Sequence, residues 1–133
     1  MLKIKPSILI VEDEELFRKS LGRLIDRLGY KATSVPNAEE ALELTKNASF
    51  DLILTDIKLP GITGLELLKT IKQRSLNSIV IVITGYGNPD IAVKAIHCGA
   101  DGYLLKPVRI EALKHTINQG IEKSCRLKNV SCN

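Results

Sequence analysis

Four short apolar runs end on residues whose types fit one another. Val11 is followed by Glu12 and Asp13, Thr55 by Asp56, Ile83 by Thr84, and Leu105 by Lys106. Parallel α/β sheets place their sites beyond the carboxyl ends of the strands. Three carboxylates, a hydroxyl and a lysine are therefore expected along one edge. Carboxylates brought together repel and need a cation. All-oxygen donors without Cys or His suit a hard ion, and Mg²⁺ with retained waters fits an open site of few ligands. Cation and ammonium together make a pocket for a further anion. A phosphoryl group fits, because its oxygens can bridge metal, ammonium and hydroxyl. One of the carboxylates could then act as a nucleophile and form an acyl phosphate.

Each residue alone has a plainer reading. Acidic residues after a strand often complement a helix macrodipole, and Glu14 and Glu15 are read that way. Asp56 alone could be a turn residue before Pro60-Gly61, and Lys106 alone a surface lysine. The convergence of four segment ends on one edge favours a site.

That edge requires a particular set of elements. β-rich runs stand at Ser7–Val11, Lys31–Val35, Asp51–Thr55, Ile79–Thr84 and Gly102–Leu105. Segments of helical periodicity alternate with them. Phe17, Leu21, Leu24, Ile25 and Leu28 mark the first, with Gly29 as its stop. Asn37 with Glu40 forms an N-cap pair ahead of the second, and Thr63 with Glu66 a capping box ahead of the third. Asn88-Pro89-Asp90 opens the fourth, which closes at Gly99. The fifth runs from about Arg109, with Ile110, Leu113, Ile117 and Ile121 on one face. Periodicity fades over residues 121–133, which read as a helix end and a tail. Five βα units with short connections predict an α/β fold with a doubly wound parallel five-stranded sheet, order 2-1-3-4-5. The polar second strand suits an edge.

Composition sets outer bounds. The 133 residues are 44% hydrophobic and 26% charged, ordinary for one globular domain. No run approaches a membrane span, and no secretory leader is recognisable. The net charge of +4 is too small to indicate nucleic-acid binding. It is unevenly spread: residues 1–56 carry 8 basic and 10 acidic side chains, and residues 57–133 carry 11 and 5. Cys98, Cys125 and Cys132 are expected to be reduced thiols, consistent with a cytoplasmic location.

The stretches Ile8-Leu-Ile-Val-Glu12-Asp13-Glu14, Leu54-Thr-Asp56-Ile-Lys-Leu-Pro60-Gly61-Ile-Thr-Gly64, Ile83-Thr84-Gly85-Tyr86-Gly87 and Ala100-Asp-Gly-Tyr103-Leu-Leu-Lys106-Pro107 resemble, in order, the receiver domain of two-component response regulators. Receivers of the chemotaxis-regulator type are similar, as are the N-terminal receivers of ATPase-type transcription activators. The second likeness is carried by the stretch from Thr84 to Ala95. The resemblance implies a flavodoxin-like (βα)5 fold and a domain over residues 1–125. Residues 126–133 would be a tail, or the start of a linker to an output domain.

It also implies roles residue by residue. Asp56 would accept a phosphoryl group from a sensor histidine kinase. Asp13, Glu12, Asp56 and the backbone carbonyl of Lys58 would hold Mg²⁺. Thr84 would bond the phosphoryl group, and Lys106 would pair with one of its oxygens. The Lys106–Pro107 peptide would be cis. Tyr103 would be the switch aromatic, turning inward as Thr84 moves. Lys58 and Tyr86 would tune the lifetime of the phosphorylated form, with Tyr86 hindering water. The output surface would comprise the fourth helix, fifth strand and fifth helix, where Lys94, Arg109 and Lys114 lie. A homodimer is compatible with that face. The domain would be a regulator, not a metabolic enzyme, and would contact neither nucleic acid nor membrane directly.

Other classes fit less well. A haloacid-dehalogenase-type phosphatase wants Asp-x-Asp at its first strand. A flavodoxin-like cofactor binder wants a Ser/Thr/Gly-rich loop where Glu12–Glu15 stand. A degenerate, partner-only receiver would not keep the whole site set. Met1 is expected to be the natural start, and the chain is expected to be part of a transcription regulator. A stand-alone receiver is the alternative.

Overall fold

Alternating apolar side chains along the strands dictate two faces to be covered. The computed structural model, which describes residues 5–85 and 89–129, covers both. The elements run β1 (Ser7–Val11), α1 (Glu15–Arg27), β2 (Lys31–Val35), α2 (Ala38–Asn47), β3 (Leu52–Asp56), α3 (Gly64–Arg74), β4 (Val80–Thr84), α4 (Pro89–His97), β5 (Gly102–Leu105) and α5 (Ile110–Leu127). All pairings are parallel, in the order β2-β1-β3-β4-β5. This is the predicted doubly wound order, and its direction reverses between β1 and β3.

Ile8, Ile10, Leu52, Leu54, Ile81 and Ile83 pack on one face with Leu21 and Ile25 of α1 and Leu113, Ile117 and Ile121 of α5. Leu9, Val11, Ile53, Val80 and Val82 pack on the other with α2, α3 and Ala95 of α4. Strands β3 and β4 are buried throughout, whereas β2 is mostly open, as suits an edge.

Local signals set the helix ends. Asn37 accepts from the Glu40 N–H at 2.8 Å. Thr63 and Glu66 form the reciprocal capping box. Glu14 caps α1 through the Phe17 N–H, and Glu15 pairs with Lys19 at 2.9 Å. Both acids therefore serve the start of α1. Gly29 ends α1 with φ 98°. Asn88 lies outside the described residues.

The fifth helix is longer than its periodicity suggests and reaches Leu127. Its inward positions there include Gly120 and Ser124, both buried, which an apolar count misses. Cys98 is a free thiol, but Cys125 is disulfide-bonded, which corrects the expectation that all three cysteines are reduced.

Two glycines on the same molecule should respond oppositely to a methyl group. A Cβ on Gly64 would overlap the Asp56 carbonyl oxygen and lie 2.7 Å from Ile57 Cα. Gly64→Ala is expected to cost about 1–3 kcal/mol or more by overpacking against backbone. Gly22, inside α1, has nothing within 4 Å of that position. Gly22→Ala should gain about 0.5–1 kcal/mol through helix propensity. Urea denaturation of the two variants checks both signs.

Candidate functional site

Register brings the four segment ends level. Val11 stands opposite Thr55, and Asp56 opposite Ile83. Thr84 stands opposite Leu105, and the Lys106 N–H donates to the Thr84 carbonyl at 2.9 Å. Glu12, Asp56, Thr84 and Lys106 therefore meet at the carboxyl edge, beside the β1–β3 reversal. This is where a doubly wound sheet opens a crevice.

The side chains converge as their positions require. Lys106 Nζ donates to Asp56 Oδ2 at 2.7 Å and to Glu12 Oε1 at 3.1 Å. The Lys58 N–H donates to Asp56 Oδ1 at 3.1 Å, and the Glu14 N–H to Glu12 Oε2 at 2.9 Å. Glu12 and Asp56 are buried, at 1% and 5% exposure, while Asp13 is exposed. One carboxylate oxygen from each of Glu12, Asp13 and Asp56 lies within 4.8 Å of the other two. Thr84 is 2% exposed, and its Oγ1 has no hydrogen-bond partner. Such an atom costs about 1–3 kcal/mol of desolvation. The Lys106–Pro107 peptide is cis.

The remaining residues singled out from the sequence lie around this core. The Lys58 side chain is exposed, and Tyr103 is 45% exposed on β5. Tyr86 lies outside the described residues. Lys94, Arg109 and Lys114 are exposed.

Two neighbours were not foreseen. Arg18 Nη1 donates to the Glu12 carbonyl at 2.9 Å, bracing the loop that carries the acids. The Phe17 ring stands against the Lys106 ammonium. Helical spacing assigns Phe17 to the core, and no sequence signal distinguishes a ring face that also meets a cation.

The electrostatics follow from this packing. Burial raises the Glu12 carboxyl, the Glu14 N–H and Lys106 oppose it, and neighbouring Asp56 adds to the rise, leaving it at about 7. Burial lowers the Lys106 pKa, but its bonds to Asp56 and Glu12 outweigh this and hold it above the ordinary value. Glu12 thus binds its proton more tightly folded than unfolded. Its contribution to stability is fully present below 4.5 and is lost as pH rises through about 7. The loss is on the order of 3 kcal/mol. Urea titrations in metal-free buffer between roughly pH 5 and pH 8 should show this decline, and Glu12→Gln should remove it.

The fold is of the flavodoxin-like, doubly wound class, with an acidic cluster and a lysine at its switch point. Residues 8–118 match the family model of the response regulator receiver domain, and the chain belongs to that family. A cyclic di-GMP phosphodiesterase of Thermotoga maritima is 34% identical over 115 residues, covering 86% of this chain and 31% of the relative. The transcriptional regulatory protein FixJ of Bradyrhizobium diazoefficiens is 31% identical over 120 residues, covering 90% and 58%. A response regulator receiver domain crystal structure from Clostridium thermocellum superposes with a TM-score of 0.87 at 32% identity, covering 92% of this chain and 98% of that one. The chain thus spans less than two thirds of these curated relatives. Receiver domains are signalling modules of two-component systems. Among the described residues, no helix is long and apolar enough to cross a membrane.

Proposed function

We propose that Asp56 accepts a phosphoryl group from a phosphohistidine on a sensor histidine kinase. The single observation that carries this reading is the pairing of one ammonium with two buried carboxylates beside an unpartnered buried hydroxyl. An Asp56 carboxylate oxygen attacks phosphorus, and the P–N bond of the donor breaks. The imidazole leaves with the bonding electron pair. Lys106 moves from carboxylate to phosphoryl oxygen and neutralises developing charge. The Thr84 hydroxyl donates to another phosphoryl oxygen and thereby gains its missing partner. The Lys58 N–H keeps Asp56 oriented throughout.

The acid cluster fits Mg²⁺, because the donors are oxygens alone and their atoms already stand within 4.8 Å. Glu12, Asp13, Asp56 and the Lys58 carbonyl would hold the ion. It would supply positive charge against the carboxylates and the incoming phosphoryl oxygens.

The phosphoryl group brings about −1.5 to −2 charge into a nearly buried site. Drawing in Thr84 then biases Tyr103, which stands half-exposed between α4 and α5, and shifts a pre-existing equilibrium. Val93, Ile96, Tyr103, Leu105 and Ile110 expose apolar area on the α4-β5-α5 face, with Lys94, Arg109 and Lys114 beside them. We read this face as the contact for an output domain or partner, or for a second copy. Lys58 and Tyr86 would set the phosphate lifetime. We read residues 1–125 as the receiver unit and 126–133 as a tail or the start of a linker to an output domain, with α5 itself continuing to Leu127. The name of the FixJ relative, a transcriptional regulatory protein, supports transcription regulation as that output.

The test is incubation with acetyl phosphate and Mg²⁺, read by intact mass. The expected result is a gain of one phosphoryl group, lost on treatment with hydroxylamine, which cleaves acyl phosphates. No gain from acetyl phosphate or from a histidine kinase would overturn the reading.

A further inference from the structure

The Lys106 ammonium has a neighbour that the phosphoryl chemistry does not name. Its Nζ lies 4.7 Å from the centroid of the Phe17 ring, over the ring. Phe17 stands in the first turn of α1, where its N–H donates to Glu14 Oε2 at 3.1 Å. The ring is half-buried and packs against the cluster of β1, β3, α1 and α5. We infer that Phe17 is a positioning residue for Lys106. Its ring face holds the ammonium toward Glu12 and Asp56 and closes that side to water. This inference rests on reading Asp56 as the phosphoryl acceptor.

A lysine is a flexible four-carbon stem with three donors. Two donors are engaged, at 2.7 Å by Asp56 and 3.1 Å by Glu12. The side chain is 32% exposed, so burial alone does not fix it. A cation over an aromatic face is attracted by the ring quadrupole, more strongly as water is excluded. The choice of group matters. A third carboxylate there would hold the ammonium as firmly but would spend its charge. The ring neither neutralises the ammonium nor binds a hard cation. Its attraction is also weakly directional across the face. The ammonium can therefore slide from an Asp56 oxygen to a phosphoryl oxygen without leaving the ring.

The test compares first-order phosphorylation rates with acetyl phosphate at saturating Mg²⁺, a donor that needs no protein docking. The variants are Phe17→Leu, Phe17→Trp, and the wild-type chain carrying mono-, di- and trifluorinated phenylalanine at position 17. Phe17→Leu is expected to slow the rate on the order of fivefold, with Phe17→Trp close to wild type. Fluorines drain the ring face while barely changing its size, so the rate should fall stepwise with their number. Urea denaturation of each variant restricts the comparison to folded protein. A flat rate across the fluorine series would show that the ring only packs, and would overturn the inference while the acceptor reading stands. A wild-type chain that takes up no phosphoryl group would overturn that reading and the positioning role with it.

Discussion

Asp56→Asn is expected to take up no phosphoryl group under conditions where the wild-type chain is fully modified. The substitution keeps the shape of the side chain. Its carbonyl oxygen can still accept from the Lys58 N–H or from Lys106, which bond the two carboxylate oxygens of Asp56 at 3.1 and 2.7 Å. What it loses is the anionic oxygen that attacks phosphorus, and an amide oxygen is a far poorer nucleophile. The fold should not suffer. Asp56 is one of the groups that raise the Glu12 pKa. Without that charge, Glu12 ionises more readily and keeps Lys106 to itself. In metal-free buffer near neutral pH, Asp56→Asn should therefore be at least as stable as the wild-type chain. Intact mass after acetyl phosphate treatment, with a thermal melt of the same sample, checks both halves. Modification of Asp56→Asn to the wild-type extent would place the acceptor elsewhere.

Asp101→Ala should be strongly destabilising although Asp101 lies away from the site. The Asp101 carboxylate is only 4% exposed and holds three elements together. Its Oδ2 accepts from Lys72 Nζ of α3 at 2.8 Å and from the Val80 N–H at the start of β4 at 2.9 Å. Its Oδ1 accepts from Lys123 of α5. Alanine would orphan the Val80 N–H and leave the Lys72 ammonium, 12% exposed, with no counter-charge. Breaking one side of a buried pair costs about 3–5 kcal/mol. Lys123 is 45% exposed, so its share is small. Asp101→Asn can still accept from Val80 and should lose less. Burial alone would raise the Asp101 pKa, but Lys123, Lys72 and the Val80 N–H outweigh it and hold the pKa below the ordinary value. The contribution is thus present above the unfolded pKa and lost as pH falls through the folded one. Urea midpoints for the three proteins at neutral and acidic pH test the order and the trend.

Much of this molecule was legible along the chain because its signals are local. Strand alternation and helical spacing are periodic, and the caps at Asn37 and Thr63 act over three residues. The doubly wound order follows from alternation, since short right-handed crossovers leave few ways to cover both faces. Strand ends then identify Glu12, Asp56, Thr84 and Lys106 as one set, because a parallel sheet aligns its carboxyl ends. The full length of α5 was less legible, since Gly120 and Ser124 carry no apolar signal at inward positions.

Asp101 shows where such reading stops. In the sequence it is one letter of a motif before β5, and its three partners lie 21 to 29 residues away. Phe17 and Lys106 are further apart still, and helical spacing marks Phe17 only as apolar. The sequence by itself determined the order of elements and the edge where acid, hydroxyl and lysine meet. Only the tertiary structure decided which oxygen pairs with which ammonium, that Glu12 is buried while Asp13 is open, and which ring faces Lys106. Those choices depend on desolvation and on contacts between distant segments, which exist only once the helices have closed over the sheet.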